Sequence, residues 1–239
     1  MKAFKSVKNR KISGLIVQQI KKVILDGTMK AGDKLPPERE LTERFQASRI
    51  SVREALKSLE TSGLLTIKPG SGVFVAEVNS KPLSESLSSI LRIKKASMND
   101  LTEARILVEP SIARLASERI TGEELQALEK NIEETITVLK SHSPAPLKNI
   151  KFHCIIADAT RNPVIIMTMN PIFDVLKEMN LEMRGNIQKR IEISSHAVTY
   201  HKKILKALHE KDSKKVYELM LKDISQVQEG LKKITSGAK

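Results

Sequence analysis

Three polar residues that can hydrogen-bond to DNA stand at alternate positions, at Arg49, Ser51 and Arg53. An arginine guanidinium can donate two hydrogen bonds to the edge of a guanine, and a serine hydroxyl can bond to a phosphate or a base. On the N-terminal half of a helix, such side chains can enter the major groove. They can equally be solvated charges on an ordinary surface helix, so the neighbouring elements must separate the two interpretations.

The hydrophobic pattern predicts two helices before these residues. In the first, apolar side chains recur at steps of three and four and form one buried stripe: Ile12, Leu15, Ile16, Ile20, Val23 and Ile24. The pair Asp26-Gly27 ends this helix. Pro36-Pro37 supplies the fixed φ that begins a second, shorter helix, from which Leu41 and Phe45 point inward.

The third helix begins at Ser48, which can cap it, and Gly63 ends it. Its apolar face consists of Val52, Ala55, Leu56 and Leu59, which leaves Arg49, Ser51, Arg53 and Lys57 outside. Two short strands, 64–68 and 73–76, follow it and are joined by a turn that contains two glycines. Three helices and a glycine-tipped hairpin predict a winged helix-turn-helix, and this order favours the DNA-binding interpretation.

The composition predicts a globular, mainly helical protein. Its 239 residues are 40% hydrophobic and 29% charged, which excludes a disordered or collagen-like chain, and aromatic residues are only 3%. The net charge of +13 favours a polyanionic partner. The single Cys154 excludes an intramolecular disulfide, Met1–Lys11 lacks the apolar run of a secretory signal, and no stretch approaches the ~20 apolar residues of a membrane span. We therefore expect a cytoplasmic protein.

Charge and composition divide the chain after the hairpin. The first 78 residues contain 15 basic and 8 acidic residues, so the positive charge is densest there. A segment rich in Ser and Lys follows, with apolar residues at helical spacing. We predict a winged helix-turn-helix DNA-binding domain at 1–78, a helical linker at 79–96 and an all-helical effector-binding and dimerisation domain at 97–235.

Three separated blocks resemble the DNA-binding domain of GntR-type bacterial transcription regulators. They are Gly32–Leu41 (GDKLPPEREL), Ser48–Leu56 (SRISVREAL) and Gly70–Val75 (GSGVFV), and they match in register over the first 78 residues. This resemblance implies that operator contacts come from Arg39, Ser48, Arg49, Ser51 and Arg53, and that Gly70 at the wing tip approaches the minor groove. Ile50 and Pro69 depart from the family pattern, and base preference depends on such positions.

The rest of the chain has the local signals of several helices. Ser97 with Asp100, and Thr121 with Glu124, have the spacing of capping boxes, and Asp212 can cap a last helix. Three segments resemble the FCD-type ligand-binding domain of the FadR subgroup: Leu101–Arg105 with Glu109, Phe152-His153 followed by Arg161–Pro163, and His201–Leu208 with Asp212. The resemblance implies an antiparallel helical bundle, a homodimer and a central pocket for a small carboxylate metabolite.

Many members of that subgroup hold a divalent metal with an Asp and a His one helical turn apart and two further histidines on later helices. The matching positions here are Asn149, His153, His201 and Asp223. Asn149 stands where the pattern has a carboxylate, and Asp223 where it has an imidazole. One Asp and two His can still bind zinc, nickel or manganese. The alternatives are hydrogen-bonded histidines without a metal, or a ligand role for His196 in place of His201.

Two residues near this set have more than one interpretation. Arg105 can bind an effector carboxylate through a bidentate fork, or it can bridge Glu109 one turn away on the same helix. Cys154 adjoins His153, but neighbouring residues of a helix point about 100° apart and do not form a nucleophile–base pair. We therefore predict that Cys154 is a small buried apolar residue.

Together these features predict a transcription regulator and not an enzyme. We expect a homodimeric repressor that binds a palindromic operator and responds to a small carboxylate effector through the segment 79–96. One alternative is a nonspecific architectural DNA-binding protein. Another is a metal-dependent hydrolase that uses His153, His201 and Asp223, for which the sequence offers no evident general base.

Overall fold

The computed structural model describes residues 12–77, 81–183 and 186–236, without the side chains of 235 and 236. The segment Met1–Lys11 therefore lies outside the described residues. By their internal contacts, the described residues up to 77 and those from 81 onward form two compact units. The described part is mostly helical and contains one two-stranded sheet, which confirms the mainly α fold class with a hairpin wing.

The first unit is a winged helix-turn-helix. Its elements are α1 (Ile12–Leu25), α2 (Glu38–Phe45), α3 (Arg49–Thr61), β1 (Leu65–Lys68) and β2 (Gly72–Val75). The strands pair antiparallel, with Leu65 opposite Val75 and Lys68 opposite Gly72. The Ser48 hydroxyl caps α3 by accepting a hydrogen bond from the Ser51 backbone N–H at 3.1 Å. This cap fixes where α3 begins, and thereby which residues form its first turn.

The core of this unit lies between α1, α3 and the sheet. Ile16 and Ile20 of α1 pack against the predicted apolar face of α3, whose four residues are all buried. The predicted stripe is wrong at two positions, because Ile12 and Leu15 are 55% and 45% exposed. Leu15 points about 100° away from Ile16 around the helix, and Ile12 occupies the first turn, beyond the buried pair.

The wing is fastened to the loop that precedes α2. The Leu35 N–H donates to the Val73 carbonyl, and the Val75 N–H donates to the Asp33 carbonyl, both at 2.8 Å. At Gly72 φ is +114°, and a Cβ there would approach Lys34 Cε to 2.8 Å. The positive φ favours glycine at this position, whereas the flexible Lys34 side chain could move away from a Cβ.

The second unit consists of seven described helices. They are α4 (Lys81–Ile93), α5 (Met98–Arg119), α6 (Gly122–Lys140), α7 (Pro146–Ala159), α8 (Pro163–Glu182), α9 (Ile187–His209) and α10 (Ser213–Ser236). Both predicted capping boxes are present, at the starts of α5 and α6. Asp212 Oδ1 accepts a hydrogen bond from the Lys215 N–H at 3.0 Å, as expected of a cap for α10.

Helices α5, α7, α9 and α10 pack around the candidate site of the helical unit. Their shared apolar core includes Phe152, Ile204 and Ile224, all essentially inaccessible to solvent. Further along, α9 and α10 approach closely, since a Cβ at Gly230 would lie 2.5 Å from Ile193 Cγ1. The backbones are thus held close together where side chains of α9 and α10 line a cavity.

Three polar contacts at four-residue steps attach α4 to α8. Ser84 donates to Asp174 at 2.8 Å, Ser88 donates to Glu178 at 2.6 Å, and Arg92 pairs with Glu182 at 2.5 Å. Helix α4, which covers residues 81–93 of the predicted helical linker 79–96, is thus packed within the second unit. The exact domain boundaries stay a prediction.

Candidate functional site

The first turn of α3 presents the predicted DNA-contacting residues to solvent. Ser48 and Arg49 are exposed, and the Arg53 side chain is 75% exposed. Ser51 is half-buried, and its hydroxyl lies 3.0 Å from that of Ser48. Among the described residues Arg49 makes no hydrogen bond or ion pair. Its guanidinium therefore keeps its full hydrogen-bonding capacity for a ligand.

The other two arginines of this surface are held by glutamates of α2. Arg53 pairs with Glu38 at 3.0 Å, and Arg39 pairs with Glu43 at 3.2 Å, where Arg39 is 82% exposed. Exposed pairs of this kind contribute less than about 1 kcal/mol, so phosphate or base contacts can replace them at little cost.

The wing and the loop that precedes α2 add two positive charges, at Lys68 and Lys34, that were not among the predicted site residues. Gly70 is exposed at the tip with φ +73°. Lys34 and Lys68 place their ammonium groups 5.8 and 5.1 Å from the centre of the Phe74 ring. The position of Lys68 directly before the Pro69-Gly70 turn is the signal that could have identified it.

A second set of functional side chains comes together inside the helical unit. His153 of α7, His201 of α9 and Asp223 of α10 are all buried, and one potential ligand atom from each lies within 4.8 Å of the others. Asp223 Oδ2 is 3.4 Å from His153 Nε2 and 3.5 Å from His201 Nε2. His196 is exposed, so the alternative in which it takes the place of His201 does not hold in this structure.

This cluster has the chemistry and spacing of a metal centre. Among the described residues, neither oxygen of Asp223 and neither ring nitrogen of His201 has a hydrogen-bond partner, although all four atoms are buried. Buried polar atoms without partners are costly. Ligand atoms about 2.0–2.1 Å from a tetrahedral ion stand about 3.4 Å apart, which agrees with the two distances to Asp223. The three residues therefore fit a divalent ion.

Asn149 lies one turn before His153 on α7 and lines the adjacent cavity with it. Its Oδ1 is buried and accepts no hydrogen bond from the part of the chain that the structure describes. An amide oxygen is a neutral and weaker ligand than the carboxylate of the family pattern. Asn149 therefore offers a free oxygen beside the cluster, without a charge of its own.

Glu109 connects the cluster to Arg105 and was not among the predicted site residues. Its Oε2 lies 2.6 Å from His153 Nδ1, and its carboxylate forms a buried ion pair with Arg105. Of the two interpretations of Arg105, the structure contains the bridge to Glu109. The spacing of Arg105 and Glu109 predicted this pair, whereas the contact with His153 depends on how α5 packs against α7.

The charges of the cluster compensate one another. Burial opposes ionisation of Glu109, but Arg105 and His153 lower its pKa to about 2. Burial likewise opposes ionisation of Asp223, but the two histidines hold its pKa below the usual value. Burial lowers the pKa of His201, whereas Glu109 outweighs burial and raises the pKa of His153. Both carboxylates are thus ionised at neutral pH and leave Asp223 as a ready anionic ligand.

The cavity beside the cluster is lined by apolar side chains and a small set of polar ones. The polar lining residues are Thr102, Arg105, Asn149, His153, Asn180, Arg190 and Ser194. Among the described residues, no carboxylate belongs to this lining. Cys154 does not line the cavity, and burial raises the pKa of its thiol to about 11, as expected of a buried apolar residue.

An exposed basic helix on a winged helix-turn-helix, in a chain that also contains an all-helical unit, defines a DNA-binding regulator. Residues 13–75 match the family described as "Bacterial regulatory proteins, gntR family", and residues 100–226 match the FCD domain. The chain therefore belongs to the GntR family and carries an FCD domain.

Individual relatives agree with this assignment. The chain is 34% identical over 162 residues to the HTH-type transcriptional regulator LutR of Bacillus subtilis (strain 168), covering 68% of this chain and 74% of that one. It is 31% identical over 230 residues to the uncharacterized HTH-type transcriptional regulator YcbG of the same organism, covering 95% and 93%. A solved structure, described as Streptococcus agalactiae GntR, matches with TM-score 0.72 and 28% identity, covering 91% of this chain and 99% of that one.

The family and these relatives are transcription regulators, so the protein is a DNA-binding transcription regulator and not an enzyme. This excludes the hydrolase alternative. Among the described helices, none has the length and apolar character needed to span a membrane.

Proposed function

We propose that the protein is a repressor that binds a palindromic operator as a homodimer and leaves it when a small carboxylate metabolite enters the cavity of the helical unit. The observation that carries this proposal is the cavity lining. It contains Arg105, Arg190 and His153 but no carboxylate among the described residues. Arg105 and His153 are paired with the buried carboxylates of Glu109 and Asp223, whereas Arg190 contacts only carbonyl oxygens among the described residues. The uncompensated charge of Arg190 attracts an anion, and the other polar groups of the lining can orient it.

The operator contacts follow from the exposed residues of the first unit. Arg49 and Arg53 bind base edges in the major groove, Arg39, Ser48 and Ser51 bind phosphates or bases, and Gly70 lets the wing approach the minor groove. In a dimer, the two copies of α3 bind two half-sites of the operator, and the spacing of the half-sites must match the spacing of the two helices. Any change in this spacing lowers the affinity.

His153, His201 and Asp223 are the residues that would hold a divalent ion such as zinc, nickel or manganese, and the Asn149 oxygen is a further donor. When bound, the ion supplies a positive charge that attracts a carboxylate. The neighbouring residues orient these side chains. The Glu109 carboxylate lies 2.6 Å from His153 Nδ1, on the side of the ring away from Nε2, which faces Asp223.

Helix α8 connects the cavity to α4. Leu176, Asn180 and Met183 line the cavity. Asp174 and Glu178, on the same helix, accept hydrogen bonds from α4. In the sequence α4 directly follows the winged-helix unit. A ligand that shifts α8 therefore shifts α4, and we propose that this displacement changes the spacing of the two recognition helices.

The test begins with selection of bound fragments from the source genome, followed by titration of the best fragment. A short palindrome should bind at least about a thousandfold more tightly than random DNA at the same salt concentration. A small carboxylate should weaken that binding, and a chelator should remove the response.

A matched pair of variants separates the buried cluster from other histidines. His153→Ala should abolish the response, whereas His142→Ala changes an exposed histidine and should retain it. Equal binding to every fragment would contradict the proposal that the protein recognises a specific operator. If no carboxylate weakened the binding, the proposed effector class would be wrong.

A further inference from the structure

One face of α9 forms a continuous wall of the site. Arg190, Ser194, Ala197 and His201 follow one another at steps of four, three and four, and therefore lie on the same face of the helix. The first three line the cavity, and His201 belongs to the buried cluster. With a rise of 1.5 Å per residue, the Cα atoms of Arg190 and His201 are about 16 Å apart along the helix. They mark opposite ends of one wall.

The two arginines of the cavity differ in how their charge is balanced. Arg105 forms a buried ion pair with Glu109. Arg190 donates from Nη1 to the Met183 carbonyl at 3.0 Å and from Nη2 to the Asn180 carbonyl at 3.1 Å. In the part of the chain that the structure describes, Arg190 pairs with no carboxylate. Carbonyl oxygens hold a guanidinium in place without cancelling its charge, and two bonds leave three of its five N–H donors.

We propose that Arg190 binds one carboxylate of an effector whose other carboxylate lies at the His153 end of the cavity, so that the effector is a dicarboxylate. This inference rests on the proposed function, since it requires that the cavity bind a carboxylate. A single carboxylate cannot contact both ends of a wall that spans three helical turns. A second carboxylate finds an uncompensated cation at Arg190, and no acidic residue of the described lining repels it.

The test is calorimetric titration of the full-length protein with two series of acids. The first contains the straight-chain dicarboxylates from malonate to sebacate, since the longer members are needed to reach both ends of the wall, and the second contains the monocarboxylates of equal carbon number. A charge-assisted hydrogen bond predicts that the best dicarboxylate binds about tenfold to a hundredfold more tightly than its monocarboxylate partner. The preferred chain length then measures the distance between the two anchors.

Substitutions at Arg190 assign this preference to the residue. Arg190→Gln should weaken dicarboxylate binding more than monocarboxylate binding and so remove the preference, whereas Arg190→Lys should retain part of it. Lys189→Gln is the matched control. Lys189 also donates to a helix carbonyl, that of Lys233 at 3.0 Å, but it does not line the cavity, so this variant should keep the full preference.

The possible results separate the inference from the function on which it rests. If no acid of either series binds, the proposed effector class is wrong. If both series bind equally, the function stands and the role of Arg190 is overturned. An equal loss for both series in Arg190→Gln shows that Arg190 only supports the end of α8. If that variant does not fold, the comparison of the two series on the wild-type protein still decides whether the cavity prefers a dicarboxylate.

Discussion

The two units of this regulator place their functional charges in opposite environments. In the winged-helix unit they lie on the surface, where water solvates them and each can change alone. In the helical unit Arg105, Glu109, His153, His201 and Asp223 are buried, and each depends on its neighbours. Exposed charges are therefore free to serve binding, whereas buried charges must also be compatible with folding.

Two arginine–glutamate pairs illustrate the difference. Arg39 and Glu43 are 82% and 66% exposed, whereas Arg105 and Glu109 are 7% and 3% exposed. Both pairs join residues four apart on a helix. The same spacing thus produces a weak contact in one unit and an obligatory one in the other. Substitutions of the exposed charges in the first unit should change DNA binding without loss of stability, and substitutions of the buried charges in the second should lower stability.

The largest effect is expected from Glu109→Gln, which leaves the Arg105 charge buried without its partner. Removal of one member of a buried pair costs about 3–5 kcal/mol of unfolding free energy. Glu43→Gln is the matched substitution in the exposed pair and should cost less than about 1 kcal/mol. Urea unfolding of both variants at neutral pH measures the contrast. Equal losses would show that burial does not govern the two pairs.

A bound metal ion should raise the unfolding free energy by almost as much as Glu109→Gln lowers it, and this stabilisation should be confined to the helical unit. An ion at a hundred times its dissociation constant stabilises the folded state by about 2.7 kcal/mol. For a chain of this length that corresponds to a rise in Tm of roughly 5–11 °C. His201→Ala should lose this rise, and His196→Ala, a change at an exposed histidine of the same helix, should retain it. Thermal unfolding with added zinc or manganese, and again with a chelator, provides the measurement.

An unchanged Tm of the wild-type protein in every metal tested would contradict the metal centre. The same melting curves would show whether the stabilisation extends to the winged-helix unit, which contains none of the candidate ligands.

Arg49→Ala should affect binding alone. The loss of a bidentate contact to a base costs about 1–3 kcal/mol of operator affinity. Because Arg49 is exposed and makes no contact within the described chain, the unfolding free energy should not change. Titration of operator and random DNA at one salt concentration separates base contact from simple charge. An equal loss on both DNAs would show that Arg49 binds only phosphate.

The sequence predicted most of the first unit because its signals are local. The Ser48 cap, the four buried residues of α3 and the glycine-tipped hairpin each depend on neighbours within a few positions, and all are present. The prediction was wrong for Ile12 because periodicity does not show where the core ends along a helix, and for Leu15 because it does not fix the width of the buried face. The Lys34 contact with the wing also depends on tertiary packing.

Less of the second site could be predicted from spacing. The four-residue steps from Arg105 to Glu109 and from Asn149 to His153 indicated shared helix faces. The convergence of His153, His201 and Asp223 came from the family resemblance. Neither the spacing nor the family resemblance predicts the contact of Glu109 with His153 or the place of Arg190 in the cavity lining, because both depend on packing between helices. For Arg190, the local signal was its spacing of eleven residues from His201, which puts both residues on the same face of α9.

The smallest predicted effect compares one helix cap from each unit. Thr121 caps α6 together with Glu124, whereas Ser48 caps α3 with Ser51 at the corresponding position and no carboxylate. Loss of either cap in Thr121→Ala or Ser48→Ala should cost about 1 kcal/mol at neutral pH. Native-state hydrogen exchange in the first turns of α6 and α3 measures each loss locally. If either variant also changed exchange in the first turn of the other unit's helix, the two caps would not be independent.

The two caps should differ in their response to acid. Partial burial opposes ionisation of Glu124, but the Thr121 N–H at 2.8 Å and Arg161 at 3.0 Å hold its pKa below the usual value. Its contribution is therefore complete above the pKa of an unfolded glutamate and is lost as the pH falls through the lowered value. In urea unfolding, Glu124→Gln should be less stable than the wild type at neutral pH and equal to it below that pKa. The Ser48 cap contains no titrating group, so the cost of Ser48→Ala should be the same at both pH values, and a cost that shrinks in acid would overturn this distinction.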